Sequence, residues 1–312
     1  IFANSYYFKD KEFNHSNEIS DMSKYYNWKI NLCEITHTDV IENFDKISNF
    51  QDEPMPGLVT IAKHLLIQKS YDNDCKVVLE GQGGDDIAGG YKYIFPLFIL
   101  DNIKKLSLKK VHHEIKSFLY EENMNFKEFI KFFLVSIKSY FKGGASADGT
   151  ISRHKDLFLF DKTSNNELYK QLLKNLSNEK TFLKKILYRD LFFCKLPRIL
   201  RSCDRASMAH GKELRVPILD HNIVEYFYYQ KNEHFIKNGK LRSSYREVYY
   251  KLFGEQNLLT DNKFIKRKKI YVTDPQTKWL KTKLFDWMYS RLMESNFNSS
   301  GLIDKKKLQQ YL

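Results

Sequence analysis

The sequence has little cysteine, proline or glycine, and it has no long apolar run. Its 312 residues include 4 Cys, 6 Pro and 13 Gly. The cysteines, at 33, 75, 194 and 203, form no CxxC pair and are too few for a disulfide framework, so we expect a reducing, cytoplasmic setting. The longest apolar run, 94–100, is much shorter than the ~20 residues that a membrane helix requires. Residues 1–8 also do not follow the pattern of a signal peptide, and we expect no membrane partner.

Positive charge exceeds negative charge along the chain. Lys and Arg total 51 against 38 for Asp and Glu, which gives a formal net charge of +13. Such a balance favours anionic partners, whether a nucleotide, a nucleic acid or an acidic peptide. The lysines are dense only at 263–269 and 305–307 and are otherwise spread over the chain, so an ordinary solvated surface is the favoured interpretation. Nucleic acid is therefore the least favoured of these partners.

The first hundred residues alternate strand and helix patterns. The predicted strands are 1–8, 29–36 and 76–80, and the predicted helices are 14–26 and 56–71. Apolar composition predicts that the strands 1–8 and 76–80 are buried. Alternation with connections of this length predicts a parallel sheet covered by helices.

From Pro96 onward the pattern changes to successive helices. These are predicted at 126–141, 181–201, 221–231, 241–253 and 276–293, and the Gly-rich segment 142–152 is predicted to be a surface loop. The fold class that follows is α/β. It has two parts, an α/β lobe over residues 1–96 and a mainly helical lobe over 97–312.

The segment Gly81–Tyr91 (GQGGDDIAGGY) is the sharpest candidate site. It follows a predicted parallel strand, and ligands of open α/β sheets bind at that edge. Its five glycines allow the backbone to approach a ligand and to direct N–H groups at an anion. The adjacent acids Asp85 and Asp86 suit Mg²⁺ held against phosphate oxygens. The alternative is a tight turn that carries an exposed acidic pair.

Two further segments carry unusual charge patterns. In 196–220, Asp204 with Arg205 and Glu213 with Arg215 could form buried ion pairs that shape a pocket, or salt bridges that lock one lobe to the other. In 263–269, a lysine could reach the phosphates of a nucleotide, although a charge run is commonly a solvated surface.

Other common sites are not indicated. The chain has no GxSxG, Walker A or GxGxxG sequence. His112 and His113 have no His or Cys partner at metal-ligand spacing, so a zinc site is not expected.

Four segments together resemble the C-terminal synthetase domain of the asparagine synthetase (glutamine-hydrolysing) family. Residues 81–91 resemble its SGEGxDExFGGY motif, and 196–220 closely resemble its LPRLLRxxDRxSMAxSxExRVPFLD block. Residues 239–242 resemble its GKxxLRxA helix start only loosely, because a spacer is missing, and 267–280 resemble its RPKxGFxxPxxxWL segment. The segments occur in the family's order across nearly the whole chain.

The resemblance implies a parallel sheet of the adenine-nucleotide alpha-hydrolase (PP-loop ATPase) type. It also implies a ligase that uses ATP and Mg²⁺ to convert a carboxylate into an acyl-adenylate, with release of pyrophosphate. Ammonia or an amine then attacks that intermediate. Ammonia would come from a glutaminase domain or a separate source, and the resemblance also allows a homodimer.

The resemblance assigns roles residue by residue. Gly81, Gly83 and Gly84 would line the phosphates, and Asp85 would bind Mg²⁺ and pyrophosphate. Lys269 and the residue at position 82 would be catalytic. A separate pair, Asp204 and Arg215, would shape the pocket of a small-molecule or peptide carboxylate substrate.

This chain departs from the family's pattern in three respects. The ATP-binding SGGxDS loop, expected before 1–8, is not in the sequence, which leads us to expect a fragment or one part of a split enzyme. These 312 residues include no glutaminase domain with a leading Cys, so we expect that this chain does not itself make ammonia from glutamine. Gln82 replaces the family's Glu, and an amide cannot accept a proton as a carboxylate can. These departures leave three alternatives open: asparagine synthesis, amidation of a sugar acid or a peptide, and a non-catalytic relative that binds a partner or a nucleotide.

Overall fold

A computed structural model describes residues 2–70, 75–141, 174–176, 178–254 and 273–294. Most of the described chain is helical. The helices are α1 Ser16–Tyr25, α2 His37–Gln51, α3 Leu58–Gln68, α4 Gly84–Ala88, α5 Phe95–Lys104, α6 Leu108–Glu122, α7 Phe126–Phe141, α8 Phe182–Phe192, α9 Lys195–Met208, α10 His221–Tyr229, α11 Asn232–Phe235, α12 Ser243–Gly254, α13 Gln276–Leu280 and α14 Phe285–Met293. None of these helices is both long enough and apolar enough to cross a bilayer.

Four of the six described strands pair in parallel, as the alternation of strand and helix patterns predicts. They are β1 Phe2–Phe8, β2 Lys29–Ile35, β3 Val77–Leu79, β4 Glu213–Arg215, β5 Ile236–Lys237 and β6 Lys240–Leu241. β1 pairs with β2 from Phe2 opposite Lys29, and β3 pairs with β4 from Val77 opposite Glu213, both in parallel. β5 and β6 form a small antiparallel hairpin. The mixed α/β class is thus confirmed.

The prediction that β1 and β3 are buried is wrong. Phe2 is 56% exposed and Leu79 is 69% exposed, and most other side chains of the two strands are only half-buried. In the described residues, β1 pairs only with β2 and β3 pairs only with β4. Each strand therefore keeps one open edge, and an open edge leaves its neighbouring side chains uncovered.

Two helices differ from their predicted bounds because of hydrogen bonds with specific partners. The predicted helix 181–201 is two helices, α8 and α9, since the amides of Phe193 and Cys194 both return to the Arg189 carbonyl at 3.0 Å and end the first. The helix predicted from Pro56 begins at Leu58, whose amide donates to Gln276 Oε1 at 2.8 Å.

The same rule of local capping explains two further differences. The predicted helix 276–293 divides into α13 and α14, because the amides of Thr282 and Leu284 both donate to the Trp279 carbonyl. Helix α2 was not predicted, although Thr36 and Asp39 form a reciprocal capping box at its start. The predicted loop 142–152 lies outside the described residues.

Residues from the end of the described chain complete the N-terminal core. Trp279 is 1% exposed and packs edge-on against Phe8 of β1, with ring centroids 5.6 Å apart. Leu284 is fully buried in the same cluster. A second cluster joins α5, α6, α7 and α8 around Phe95 and Phe118, whose rings stack at 3.8 Å. The hydrophobic core of the α/β part is therefore complete only when distant segments of the chain pack onto it.

The buried histidine of α3 makes stability depend on pH. His64 is 1% exposed, its Nε2 accepts from Gln51 Nε2 at 3.0 Å, and burial lowers its pKa from 6.5 to about 4. Between these values the unfolded chain binds a proton that the folded chain does not. Stability from this group is therefore complete above pH 6.5 and falls as the pH drops toward 4.

We expect wild-type protein to lose about 2–3 kcal/mol more stability between pH 7 and pH 4 than the variant His64→Gln. Urea unfolding across that range measures the difference. Replacing the exposed His221 by glutamine is the matched control and should keep the wild-type profile. Parallel profiles for wild type and His64→Gln would contradict the prediction.

Candidate functional site

A pocket of about 370 Å³ lies where β3 ends. Residues of the Gly-rich segment form most of its wall, and later parts of the chain close it. It is lined by Glu80, Gly81, Gln82, Gly83, Gly84, Asp85, Asp86, Tyr91, Ile218, Arg242 and Tyr245. The position matches the edge at which open α/β sheets bind ligands. The structure therefore brings together five of the predicted site residues, Gly81, Gln82, Gly83, Gly84 and Asp85.

Two glycines of this segment have no room for a larger residue. Gly83, which precedes α4, has φ +95°, and a Cβ there would lie 2.3 Å from Leu219 Cδ2. A Cβ on Gly90 would lie 1.9 Å from Asp85 Oδ1. The glycines thus allow the backbone to turn tightly and keep the Asp85 carboxylate in place. Contact of these glycines with phosphate groups stays a prediction.

Arg242 is a site residue that the sequence did not reveal. Its Nη1 lies 3.2 Å from Asp85 Oδ1, and both side chains are 26% exposed. Arg242 has φ +56°, a strained conformation for a non-glycine residue, in the turn between β6 and α12. Because this pairing joins distant parts of the chain, no local pattern could predict it. The available signal was the loose motif match at 239–242.

Asp86 forms the floor of the pocket and is 4% exposed. Its Oδ2 accepts a hydrogen bond from the Tyr91 hydroxyl at 3.2 Å, and its Oδ1 has no hydrogen-bond partner among the described residues. Burial raises the pKa of this carboxyl to about 6, against the attraction of Lys195. The Lys195 ammonium lies 3.3 Å from the centroid of the Tyr91 ring. The pocket is therefore a polar site with charges of both signs.

The two predicted substrate residues lie at the surface and do not line this pocket. Arg215 is 59% exposed and donates two hydrogen bonds to Glu213, at 2.8 and 3.1 Å, so this predicted pair forms but is not buried. Asp204 is exposed, and Arg205 pairs with Asp52 instead, at 2.9 Å. Of the two alternatives, buried ion pairs at these positions are therefore excluded, and the salt bridge between Arg205 and Asp52 joins the two predicted lobes. Both the Arg205–Asp52 pair and the Arg215–Glu213 pair are solvent-exposed.

Residues 255–272 lie outside the described residues, and they include the predicted catalytic Lys269 and the charge run 263–269. The later part of the resembling segment 267–280 is described from residue 273 onward. Pro275 precedes α13, and Trp279 within it is part of the buried core. The end of this segment is therefore anchored on the α/β part.

The pocket offers few ligands to a metal ion. In the described parts of the chain, no group of three or more His, Cys, Asp or Glu side chains could hold one. Asp85 and Asp86 are two carboxylates at one pocket, and the buried Oδ1 of Asp86 has no hydrogen-bond partner in the described part of the chain. Mg²⁺ is commonly held by one or two carboxylates together with substrate phosphates. The residues therefore fit Mg²⁺ that arrives with a phosphate ligand, and they do not fit an all-protein metal cage.

Comparison with known proteins gives a consistent match. A protein-family model described as asparagine synthase matches residues 2–312. Asparagine synthetase (glutamine-hydrolyzing) 1 of Bacillus subtilis (strain 168) is 23% identical over 275 residues, covering 84% of this chain and 40% of the relative. Asparagine synthetase (glutamine-hydrolyzing) 3 of the same organism is 20% identical over 313 residues, covering 99% of this chain and 45% of the relative. The chain thus spans less than half the length of each of these curated relatives.

Proposed function

This chain belongs to the asparagine synthase family, and on that premise we propose that it forms an amide bond at the expense of ATP. In the proposed reaction, a substrate carboxylate oxygen attacks the α-phosphorus of ATP and pyrophosphate leaves. Ammonia or an amine then attacks the acyl carbon of the adenylate, loses a proton, and AMP leaves. The proposed fold type is the PP-loop ATPase, with an α/β lobe over 1–96 and a helical lobe over 97–312.

The observation that carries this proposal is the pocket at the end of β3. Its glycines leave the main chain of 81–84 accessible to a phosphate group, and its walls present both carboxylates and a guanidinium. A ligand made of phosphate and Mg²⁺ matches that mixture, since the cation would meet Asp85 and Asp86 while the anion would meet Arg242. Mg²⁺ bound there would offset the negative charge of the pyrophosphate group. Lys269 is the proposed further cation.

Gln82 sets a limit on the chemistry. It lies in the pocket wall between Gly81 and Gly83, where the family's motif has Glu. A glutamine amide can orient a nucleophile by hydrogen bonds, but it cannot take up the proton that ammonia or an amine loses. This favours a substrate other than aspartate, such as a sugar acid or a peptide carboxylate, with the proton passing to another base.

Arg215 and Asp204 remain the residues proposed to shape the substrate's pocket, with Arg215 as the contact of the substrate carboxylate. Arg215 is exposed, and its guanidinium is occupied by Glu213 through two hydrogen bonds. A substrate carboxylate would therefore have to replace Glu213 as the bidentate partner. The main chain of Arg215 lies beside the site, because its carbonyl accepts from the Glu80 amide at 2.9 Å.

The proposal is tested by exchange of labelled pyrophosphate into ATP, measured on the protein as its own cells make it. With Mg²⁺ present, we expect exchange only when one class of carboxylate is supplied, and AMP release only when ammonia or an amine is added. Asp85→Asn should lower the exchange rate by about 100-fold, in the range found when one preorganised electrostatic contact is removed. Asp45→Asn, at an exposed position on α2, is the matched control. Exchange that depends on no carboxylate would refute the proposal.

Gln82 favours a second candidate, a relative that binds a nucleotide or a partner without turnover. The two candidates differ in how Gln82 variants behave. If amide formation occurs, Gln82→Glu and Gln82→Ala should both change its rate, since the side chain lies in the pocket. A protein that binds ATP but forms no amide in wild type or in either variant would establish the second candidate.

A further inference from the structure

A glutamate lies directly after β3, two residues before Gln82. The Glu80 amide donates to the Arg215 carbonyl at 2.9 Å, so strand pairing still holds the main chain at this position. Glu80 lines the pocket of about 370 Å³, and it also lines a second cavity, of about 580 Å³, that lies between β1 and β3. Its side chain is 29% exposed. A carboxylate that water can reach therefore borders the candidate site.

The family's motif has its carboxylate two residues later than this chain does. Aligned on its glycines, the SGEG sequence of that motif has Ser at position 80 and Glu at position 82, where this chain has Glu80 and Gln82. Both residues line the same pocket. The amide of Gln82 cannot accept the proton that an attacking amine loses, whereas a carboxylate can. The group that is missing at position 82 is thus present at position 80.

The other two carboxylates of the pocket do not serve as bases under the proposed function. Asp85 and Asp86 are the proposed ligands of Mg²⁺, and a carboxylate that coordinates a cation has a weaker affinity for a proton. Asp85 is also paired with Arg242 at 3.2 Å. The remaining titratable groups of the wall are phenols and a guanidinium, which generally hold their protons near neutral pH. Among the described residues of the wall, Glu80 is the carboxylate that is left.

Lys63 of α3 fixes the position of the Glu80 carboxylate. Its ammonium lies 2.6 Å from Glu80 Oε1 and 2.8 Å from Cys203 Sγ. Burial lowers the pKa of Lys63, but Cys203 and Glu80 raise it by more, so Lys63 remains a cation. Burial raises the pKa of the Cys203 thiol and that of the nearby Tyr6 phenol, which also feels the charge of Asp274. Both groups therefore stay neutral near pH 7, and Glu80 is the carboxylate that Lys63 holds.

We propose that Glu80 is the base that takes the proton from the attacking ammonia or amine, an inference that rests on the proposed function. The nitrogen attacks the acyl carbon and becomes positively charged. Glu80 then takes a proton from it: the N–H bond breaks, its electron pair stays on nitrogen, and an O–H bond forms on the carboxylate. The bond from the acyl carbon to the phosphate oxygen breaks next, and AMP leaves with that electron pair. The exposed side chain of Glu80 returns the proton to water.

The test separates the two halves of the reaction, because a base is needed for amide formation and not for formation of the adenylate. The probe is whichever of aspartate, glucuronate and a peptide carboxylate supports exchange of labelled pyrophosphate into ATP by the wild-type protein as its own cells make it. Glu80→Gln should keep that exchange close to the wild-type rate. Amide formation from the same probe with ammonia or methylamine should fall about 100-fold or more, the range for loss of a general base.

The matched control is Glu233→Gln. Glu233 forms a similar pair with Lys110, at 2.7 Å, and it is not part of the pocket wall. This variant loses a lysine–glutamate pair as Glu80→Gln does, and it should keep both rates.

Moving the carboxylate along the chain supplies a readout that a merely structural role would not give. The double variant Glu80→Gln with Gln82→Glu has its carboxylate at position 82, and it should form the amide roughly tenfold faster or more than Glu80→Gln alone. Glu80→Asp keeps a charge beside Lys63 and so protects the fold if the glutamine variant is unstable. It should keep exchange and slow amide formation by up to about 100-fold, because the carboxylate is withdrawn by one bond length.

The outcomes distinguish this inference from the proposed function. Wild-type amide formation in Glu80→Gln and in Glu80→Asp, with normal exchange, would refute the inference and leave the proposed function intact. An equal fall in exchange and in amide formation would overturn the inference too, because Glu80 would then act before the amine does. No exchange in the wild-type protein with any carboxylate would refute the proposed function and this inference with it.

Discussion

Replacing Gly90 by alanine is expected to lower carboxylate-dependent pyrophosphate exchange by about 100-fold or more. The new Cβ would lie 1.9 Å from Oδ1 and 2.4 Å from Cγ of Asp85. The carboxylate must therefore move away from Arg242, its partner at 3.2 Å, and out of the pocket wall. Gly90 does not have a positive φ, so the backbone itself accepts alanine. The loss would come from displacement of Asp85 and not from backbone strain.

A double variant separates this effect from general damage to the fold. Asp85→Ala removes Oδ1 and Cγ, the two atoms nearest the new methyl group, and leaves only Cβ at 2.8 Å. Asp85→Ala with Gly90→Ala should therefore be more stable than Gly90→Ala alone. Its exchange rate should nevertheless be no higher than that of Asp85→Ala, because both variants lack the carboxylate. Urea midpoints and exchange rates on the same preparations give both quantities. Wild-type exchange in Gly90→Ala would show that Asp85 is not needed where the structure places it.

Replacing Trp279 by alanine is expected to cost about 3–5 kcal/mol of stability, the range for a large aromatic side chain removed from a core. Trp279 is 1% exposed, packs against Phe8, and donates from Nε1 to Asp10 Oδ2 at 2.9 Å. Its loss would release the described C-terminal segment from the strand it covers. Urea unfolding measures the change, and Tyr229→Ala, at a position 81% exposed, should remain within about 0.5 kcal/mol of wild type.

Trp279→Phe divides this effect into packing and hydrogen bonding. Phenylalanine keeps an aromatic ring against Phe8 but has no N–H for Asp10, so a smaller loss of about 1–2 kcal/mol is expected. The hydrogen bond from Trp279 is the main cause that holds the pKa of Asp10 below its usual value, and the charges of Lys283 and Lys278 also lower it. The pKa of Asp10 should therefore rise in this variant, as NMR titration would detect. An unchanged pKa would contradict the assigned contact.

Patterns within one segment predicted the elements well. Strands β1, β2 and β3 and helices such as Phe126–Phe141 follow from apolar alternation or a period near 3.6, because these patterns depend only on which side of a single element is covered. The Gly-rich segment was likewise predicted at a strand end, and the pocket is formed there. The boundaries that failed, as at Phe193 and at Pro56, depend on caps supplied by particular hydrogen bonds, and Gln276 is far from Leu58 in sequence.

The sequence by itself determined the α/β class, the parallel strands and the family to which the motifs point. Only the tertiary structure decided that Arg242 meets Asp85, that Arg215 turns to Glu213 at the surface, and that a cavity of about 580 Å³ separates β1 from β3. The physical reason is the range of the interactions. Periodicity and turn chemistry act over a few residues, whereas an ion pair across a pocket and an open strand edge depend on how distant segments pack.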